Sequence, residues 1–301
     1  MRPHGRSRKN LVFLRQSTRS FTSFRMTRSV FLQSHINKVK KPLAHYVSIL
    51  LICASGIVLI ALQLKSAGWI LLALSGFSLF FAEKIFAKDI LLIIIALALL
   101  GVTPINTDIS IPHMLVMGMT LILAVAIPYF VSRFIYKDYL VRFPWHHGRK
   151  WNKREIFYIG VTALISYFLL PYYLKSTGAY LNWSSAIDGG SIIRLFIGTN
   201  GLGIWDELFF VSTILGILRR YFSFSVANIS QSVLFTSFLY ELGFTNWGFI
   251  FIFIFALVQG YVFKKTESLL YVIMIHLTLD FVLFLAIIHS HHPSFISIFI
   301  T

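Results

Sequence analysis

"WDELFFVSTILGILRRYF", residues 205–222, carries two adjacent acids, Asp206 and Glu207, in a stretch that stays largely apolar until Arg219 and Arg220. In a soluble core these carboxylates would need only local partners. Inside a bilayer they are expensive and mark a functional site by default. The reading therefore turns on whether the chain spans a membrane. Of its 301 residues 57% are hydrophobic, 16% aromatic and only 13% charged, whereas a soluble domain keeps about a quarter of its residues charged. Apolar runs of roughly 18 or more residues, enough to cross a ~30 Å hydrocarbon core as helix, recur along the chain. The net charge of +16 would suggest nucleic acid in a soluble protein. In a membrane protein it marks cytoplasmic loops instead, so membrane lipids are expected as partners and nucleic acid is not. The single cysteine, Cys53, lies in the first apolar segment, which leaves no disulfide framework and no cysteine-based metal site. The expected fold is all-α, a polytopic transmembrane helical bundle of about 8–9 spans.

Hydropathy places helices near 43–64, 66–82, 90–105, 112–135, 156–174, 191–218, 223–241, 247–263 and 268–289. Orientation follows from the basic residues. With the N-terminus inside, 24 of the 27 Lys and Arg fall on the cytoplasmic side, and only Lys65, Lys175 and Arg194 fall outside. A multi-pass protein of the cell (plasma) membrane with a cytoplasmic N-terminus is expected. Residues 1–41 form a basic tail, and no acid precedes Glu83. The tail reads as a disordered segment near anionic lipid or as an organellar transit peptide; a start codon set upstream of Met26 is a third reading. Accessory helices (42–135) come next, followed by a basic cytoplasmic loop (136–154) and a transmembrane core (155–301). In the loop, His146 and His147 lack a cysteine or carboxylate at ligand spacing, so a solvated loop anchored by Trp145 and Trp151 is expected. No internal repeat relates the two halves, which weighs against inverted-repeat transporters.

The ionisable residues at membrane depth are Asp206 and Glu207 in the sixth span, with His276 and Asp280 in the ninth. At ~1.5 Å per residue, Asp206 lies roughly 20 Å from Arg219 along the helix, His276 roughly 16 Å from Lys265, and Asp280 roughly 22 Å from Lys265. Two helices thus carry their polar groups in one layer, and the i, i+4 spacing of His276 and Asp280 puts both on one face. As mere helix glue such contacts are worth under about 1–2 kcal/mol. The functional alternative is a small polar cavity in which a carboxylate exchanges protons with water. It would serve either proton-coupled transport or hydrolysis, with an acid activating water and a histidine orienting it or stabilising an oxyanion.

The blocks from Asp206 to Phe222, "LFTSFLY" (234–240) and "GYVFKKTESLLYVIMIHLTLDF" (260–281) resemble the CAAX prenyl protease and bacteriocin-processing (Abi) family of intramembrane proteases. That family's pattern is E-E-x-x-x-R, a later F-x-x-x-H and a final H-x-x-x-N or H-x-x-x-D. Asp206 stands at the first glutamate, the position that activates water, with its carboxylate retracted by on the order of 1.5 Å, a shift to which catalysis is sensitive. Glu207 matches the second glutamate, while Val211 replaces the arginine and Ser212 the glycine that often follows it. Phe235 is kept, Leu239 replaces the middle histidine, and His276 and Asp280 match the last block in full. Gly260, Lys264, Lys265, Thr266 and Ser268 follow the family's approach to that block.

The resemblance implies a membrane-embedded endopeptidase acting on a peptide or on a prenylated or membrane-tethered protein, with Asp206, Glu207, His276 and Asp280 as catalytic residues. The replaced positions leave open an inactive scaffold or substrate-binding protein, with a proton-coupled transporter as a third reading. Tyr240 or Gln231 could supply a missing hydrogen bond, Glu207 could serve as base, and Asn200 could line the cavity. Arg194 is expected to snorkel. No cofactor is required by the pattern. Two acids and a histidine could hold a divalent metal, although the H-E-x-x-H arrangement is absent.

Overall fold

The computed structural model describes residues 43–145, 150–184 and 186–300, and residues 43–300 belong to one compact unit. The expectations for the 1–41 tail and for His146 and His147 lie outside the described residues. Among these residues the chain is wholly helical: α1 Leu43–Ala61, α2 Lys65–Phe81, α3 Lys84–Val102, α4 Ile111–Ile135, α5 Lys153–Thr177, α6 Gly189–Leu218, α7 Phe224–Glu241, α8 Gly248–Thr266 and α9 Leu269–His291. Seven are long and apolar enough to cross a membrane. The exceptions are α2, which is short, and α7, whose Ser225, Asn228, Gln231 and further serines dilute its hydropathy. The helices lie where hydropathy places them, with one informative shift. α3 begins at Lys84 instead of 90, which takes Asp89 into the helix, where it is 0% exposed. An acid in the N-terminal helices was not expected.

Local sequence sets the starts of the helices that matter most. Asp188 caps α6 by accepting from the Ser191 amide (3.0 Å), and Ser268 caps α9 by accepting from Tyr271 (3.3 Å); both satisfy amides that a first helical turn leaves open. α5 opens on a capping box between Asn152 and Glu155 and ends at Gly178 in the left-handed conformation (φ 71°), where a side chain would be strained.

α9 lies at the centre, packed on α5, α6 and α8, while α7 packs on α8 and α1. Lipid tails are as apolar as the helix faces, so contact quality rather than water exclusion holds the bundle together. The contacts are aromatic near α6: Trp205 stacks on Phe209 (4.8 Å between centroids), and Phe210 packs against Phe235 (5.0 Å). The Trp205 indole N–H donates to the Leu121 carbonyl (2.7 Å), tying α6 to α4.

A polar cluster ties α3 to the turn after α6. Arg220 donates to Asp89 (2.9 Å) and to Asp138 (3.2 Å), Lys88 donates to Asp138 (3.0 Å), Ser132 donates to Asp138 (2.9 Å) and the Tyr221 hydroxyl donates to Asp89. Partial burial pushes the Asp138 carboxyl up, but hydrogen bonds from Lys88, Ser132 and the Leu140 amide outweigh it and hold it below the usual carboxylate range.

Candidate functional site

From Glu207 to Ile214, α6 widens into π-helical turns, a departure that recurs at functional sites. The Thr213 hydroxyl donates to the Leu208 carbonyl (2.9 Å) there. At the head of this segment the two neighbouring acids address opposite nitrogens of one imidazole. Glu207 Oε1 is 2.9 Å from His276 Nδ1, and Asp206 Oδ2 is 3.9 Å from Nε2. Asp280, one turn along α9, brings Oδ1 to 3.7 Å from the same Nε2. All four residues sequence reasoning singled out therefore meet around one ring, each at 5% exposure or less.

The approach of α9 to α6 depends on Gly203. A Cβ there would overlap Asp280 Oδ2 and come within 3.2 Å of His276 Cδ2. From α8, the Gln259 amide nitrogen donates to Glu207 Oε1 (2.7 Å) and to the Val272 carbonyl (3.0 Å). Phe235 and Phe255 flank the imidazole at 5.8 and 5.1 Å.

On the Nε2 side lies a pocket of about 20 Å³ whose walls include Gly203, Asp206, Leu239, Phe255, His276 and Asp280. Roughly 10–15 Å³ suffices for one water. Asp206 Oδ1 and Asp280 Oδ2 have no protein hydrogen-bond partner, so this small space is rich in acceptors. Glu207 does not line it. A larger apolar chamber of about 260 Å³ opens between α4 and α6 and shares Trp183, Thr199, Leu202 and Leu242 with the small pocket.

Residues 188–282 match the family model described as type II CAAX prenyl endopeptidase Rce1-like. This segment is Rce1-like. No curated protein and no solved structure matches the chain. The Rce1-like segment runs from the cap of α6 to just past Asp280, so it holds the whole constellation around His276. α4, whose Leu121 anchors Trp205, lies outside it. With seven helices of membrane-crossing length and hydropathy, the protein is an integral membrane protein with a CAAX protease-like segment.

Within that segment the replaced positions have clear environments. Leu239 lines the small pocket at the middle-histidine position, and Val211 is fully buried core. The Ser212 hydroxyl donates to the Arg142 carbonyl (2.6 Å). The suggested substitutes for the lost histidine are not at the pocket. The Gln231 amide nitrogen donates to Asn228, Ser232 and the Ala256 carbonyl, and neither Gln231 nor Tyr240 lines the cavity. The Asn200 amide turns back to the Phe196 carbonyl (2.9 Å), and its neighbour Thr199 lines the pocket instead. Arg194 bonds to Ser191 near the start of α6 (3.0 Å).

Sequence reasoning missed Gln259 and Gly203. Gln259 left a signal, being the one strongly polar side chain between Gly248 and Gly260; Gly203 is one of many glycines and left none. As for a divalent ion, no three His, Cys, Asp or Glu side chains among the described residues are arranged to hold one. Glu207 Oε1 is already engaged by Gln259 and His276.

Proposed function

We propose that the protein is a membrane-embedded endopeptidase that cleaves a peptide bond of a prenylated or otherwise membrane-tethered substrate with a carboxylate-activated water. The observation that supports this reading is the pocket of about 20 Å³ into which Asp206, Asp280 and His276 Nε2 converge. Asp206 takes a proton as the water oxygen attacks the scissile carbonyl. His276, carrying a hydrogen on both ring nitrogens, donates from Nε2 to the developing oxyanion, where a buried donor is worth far more than in water. Asp280, beside the same nitrogen, assists return of the proton to the leaving amine as the C–N bond breaks. Glu207 works one layer back, holding the ring by Nδ1. The 260 Å³ chamber adjoins this point and gives apolar substrate a way in from between α4 and α6.

The test is cleavage of a membrane-tethered peptide library by the full chain reconstituted in lipid. We expect products from the native chain and a loss of about 10²–10⁴-fold in Asp206→Asn. No products from the native chain or from Asp206→Glu/Leu239→His, both folded, would overturn the reading.

Leu239 favours a second reading. An apolar side chain where relatives carry histidine offers a water nothing, which suits a substrate-binding protein without turnover. In that case library peptides bind the native chain and Asp206→Asn equally and leave intact. In either reading we place the protein in the plasma membrane, and its basic residues favour a cytoplasmic N-terminus. Reporters fused after Lys150 and after Ile300 should read out on opposite sides; the same side contradicts this orientation.

A further inference from the structure

We infer that Gln259 is a positioning residue that keeps the proton of His276 on Nδ1 and so aims Nε2 into the pocket. This rests on the hydrolytic reading only for its consequence, not for its geometry. One atom, Gln259 Nε2, contacts both Glu207 Oε1 (2.7 Å) and the Val272 carbonyl (3.0 Å). A backbone carbonyl only accepts, so the atom facing it is the amide nitrogen, and the amide orientation is fixed by its neighbours. Glu207 Oε1 is thereby an acceptor, and it lies 2.9 Å from His276 Nδ1. An imidazole nitrogen facing an oxygen committed to accepting carries the hydrogen, and its partner nitrogen is released for other work.

Both side chains are 0% exposed, so no solvent competes for these bonds. Gln259 is held in turn by the crossing of three helices. The next residue, Gly260, lets α7 approach so closely that a Cβ would overlap the Asn228 side chain, and Asn228 donates to the Leu257 carbonyl (2.9 Å). The amide is therefore presented from a locked segment of α8 to the junction of α6 and α9. This is the arrangement in which a carboxylate behind a histidine sets its tautomer and plane, here with an amide behind the carboxylate.

The test uses the full chain in lipid with isotope-labelled histidine. Ring-nitrogen shifts of His276 are assigned by their loss in His276→Ala and followed across the pH range in which the protein stays folded. The native chain should keep Nδ1 protonated throughout. Gln259→Met has similar bulk and no donor, and its neutral ring should populate the Nε2–H tautomer. Gln259→Asn, too short to reach Glu207, carries the same comparison if Gln259→Met does not fold. A bare Nδ1 in the native chain overturns the proposal, and so does an Nδ1 that stays protonated in the variant just as in the native chain. A residue that merely packs would change stability without moving the tautomer. If the chain cleaves peptides, Gln259→Met should lower kcat about 10–100-fold with KM unchanged, the size expected for a misaimed catalytic group. Absence of cleavage would count against the proposed function while leaving the tautomer result to stand or fall by itself.

Discussion

Two polar clusters interrupt this apolar bundle, and they are built on opposite principles. At the Asp89 cluster, two acids meet Arg220, Lys88, Tyr221 and Ser132, so charge is matched; a single acceptor there, Asp89 Oδ1, lacks a hydrogen-bond partner, and Lys88 Nζ lies 3.7 Å from it. At the His276 cluster three acids share one imidazole and one amide, and Asp206, Glu207 and Asp280 each keep an oxygen without a hydrogen-bond partner. The first is how a fold buries charge when it needs only to hold together. The second is a poor way to hold helices together, because unpaired buried acceptors cost stability that a leucine would not. The contrast favours a structural clamp at the first and, as proposed, a site for chemistry at the second.

The clamp should show the largest stability effect. Arg220→Met leaves Asp89 buried with only the more distant Lys88 Nζ (3.7 Å) as cation, and a cost of about 3 kcal/mol is expected in reversible unfolding in lipid or detergent, reduced from the fully buried case because Arg220 is a third exposed. Acid should act in the same direction. The folded-state pKa of Asp138 is depressed, so its contribution is present above the ordinary carboxylate range and is lost as the pH falls through that lower value. Native chain should therefore lose stability over this window. Equal stability of the two proteins at neutral pH would erase the contrast between the clusters.

The fold was largely legible because hydropathy and basic-residue placement are long-range, redundant signals: nine apolar stretches became nine helices among the described residues. The boundary of α3 was missed for a local reason. Lys84, Lys88 and Asp89 read as loop by composition, and only the pairing of Lys88 with Asp138 and of Asp89 with Arg220, distant in sequence, offsets the charge in that helical turn. The convergence of Asp206, Glu207, His276 and Asp280 was legible from depth and i, i+4 spacing. Which of them faces the pocket was not. Asp206 and Glu207 are neighbours with the same chemistry, and their different surroundings depend on Gln259 from α8 and on the closeness that Gly203 permits.

Gly203 offers an intermediate test. Gly203→Ala forces Asp280 away from α6, an overpacking cost of about 1–3 kcal/mol. Moving that carboxylate should also cut cleavage by about 10–100-fold. A full loss of stability with cleavage intact would place Asp280 among the structural contacts and blur the line between the clusters.

The most direct measurement pairs stability with turnover in Asp206→Asn/Asp280→Asn. If the His276 cluster is kept for chemistry, removing two like charges from one buried pocket should leave the unfolding free energy unchanged or raise it by about 1 kcal/mol, while cleavage of a membrane-tethered peptide disappears. Should the double variant instead unfold as readily as Arg220→Met and cleave as fast as the native chain, the acids around His276 would be helix contacts and the hydrolytic reading would be contradicted.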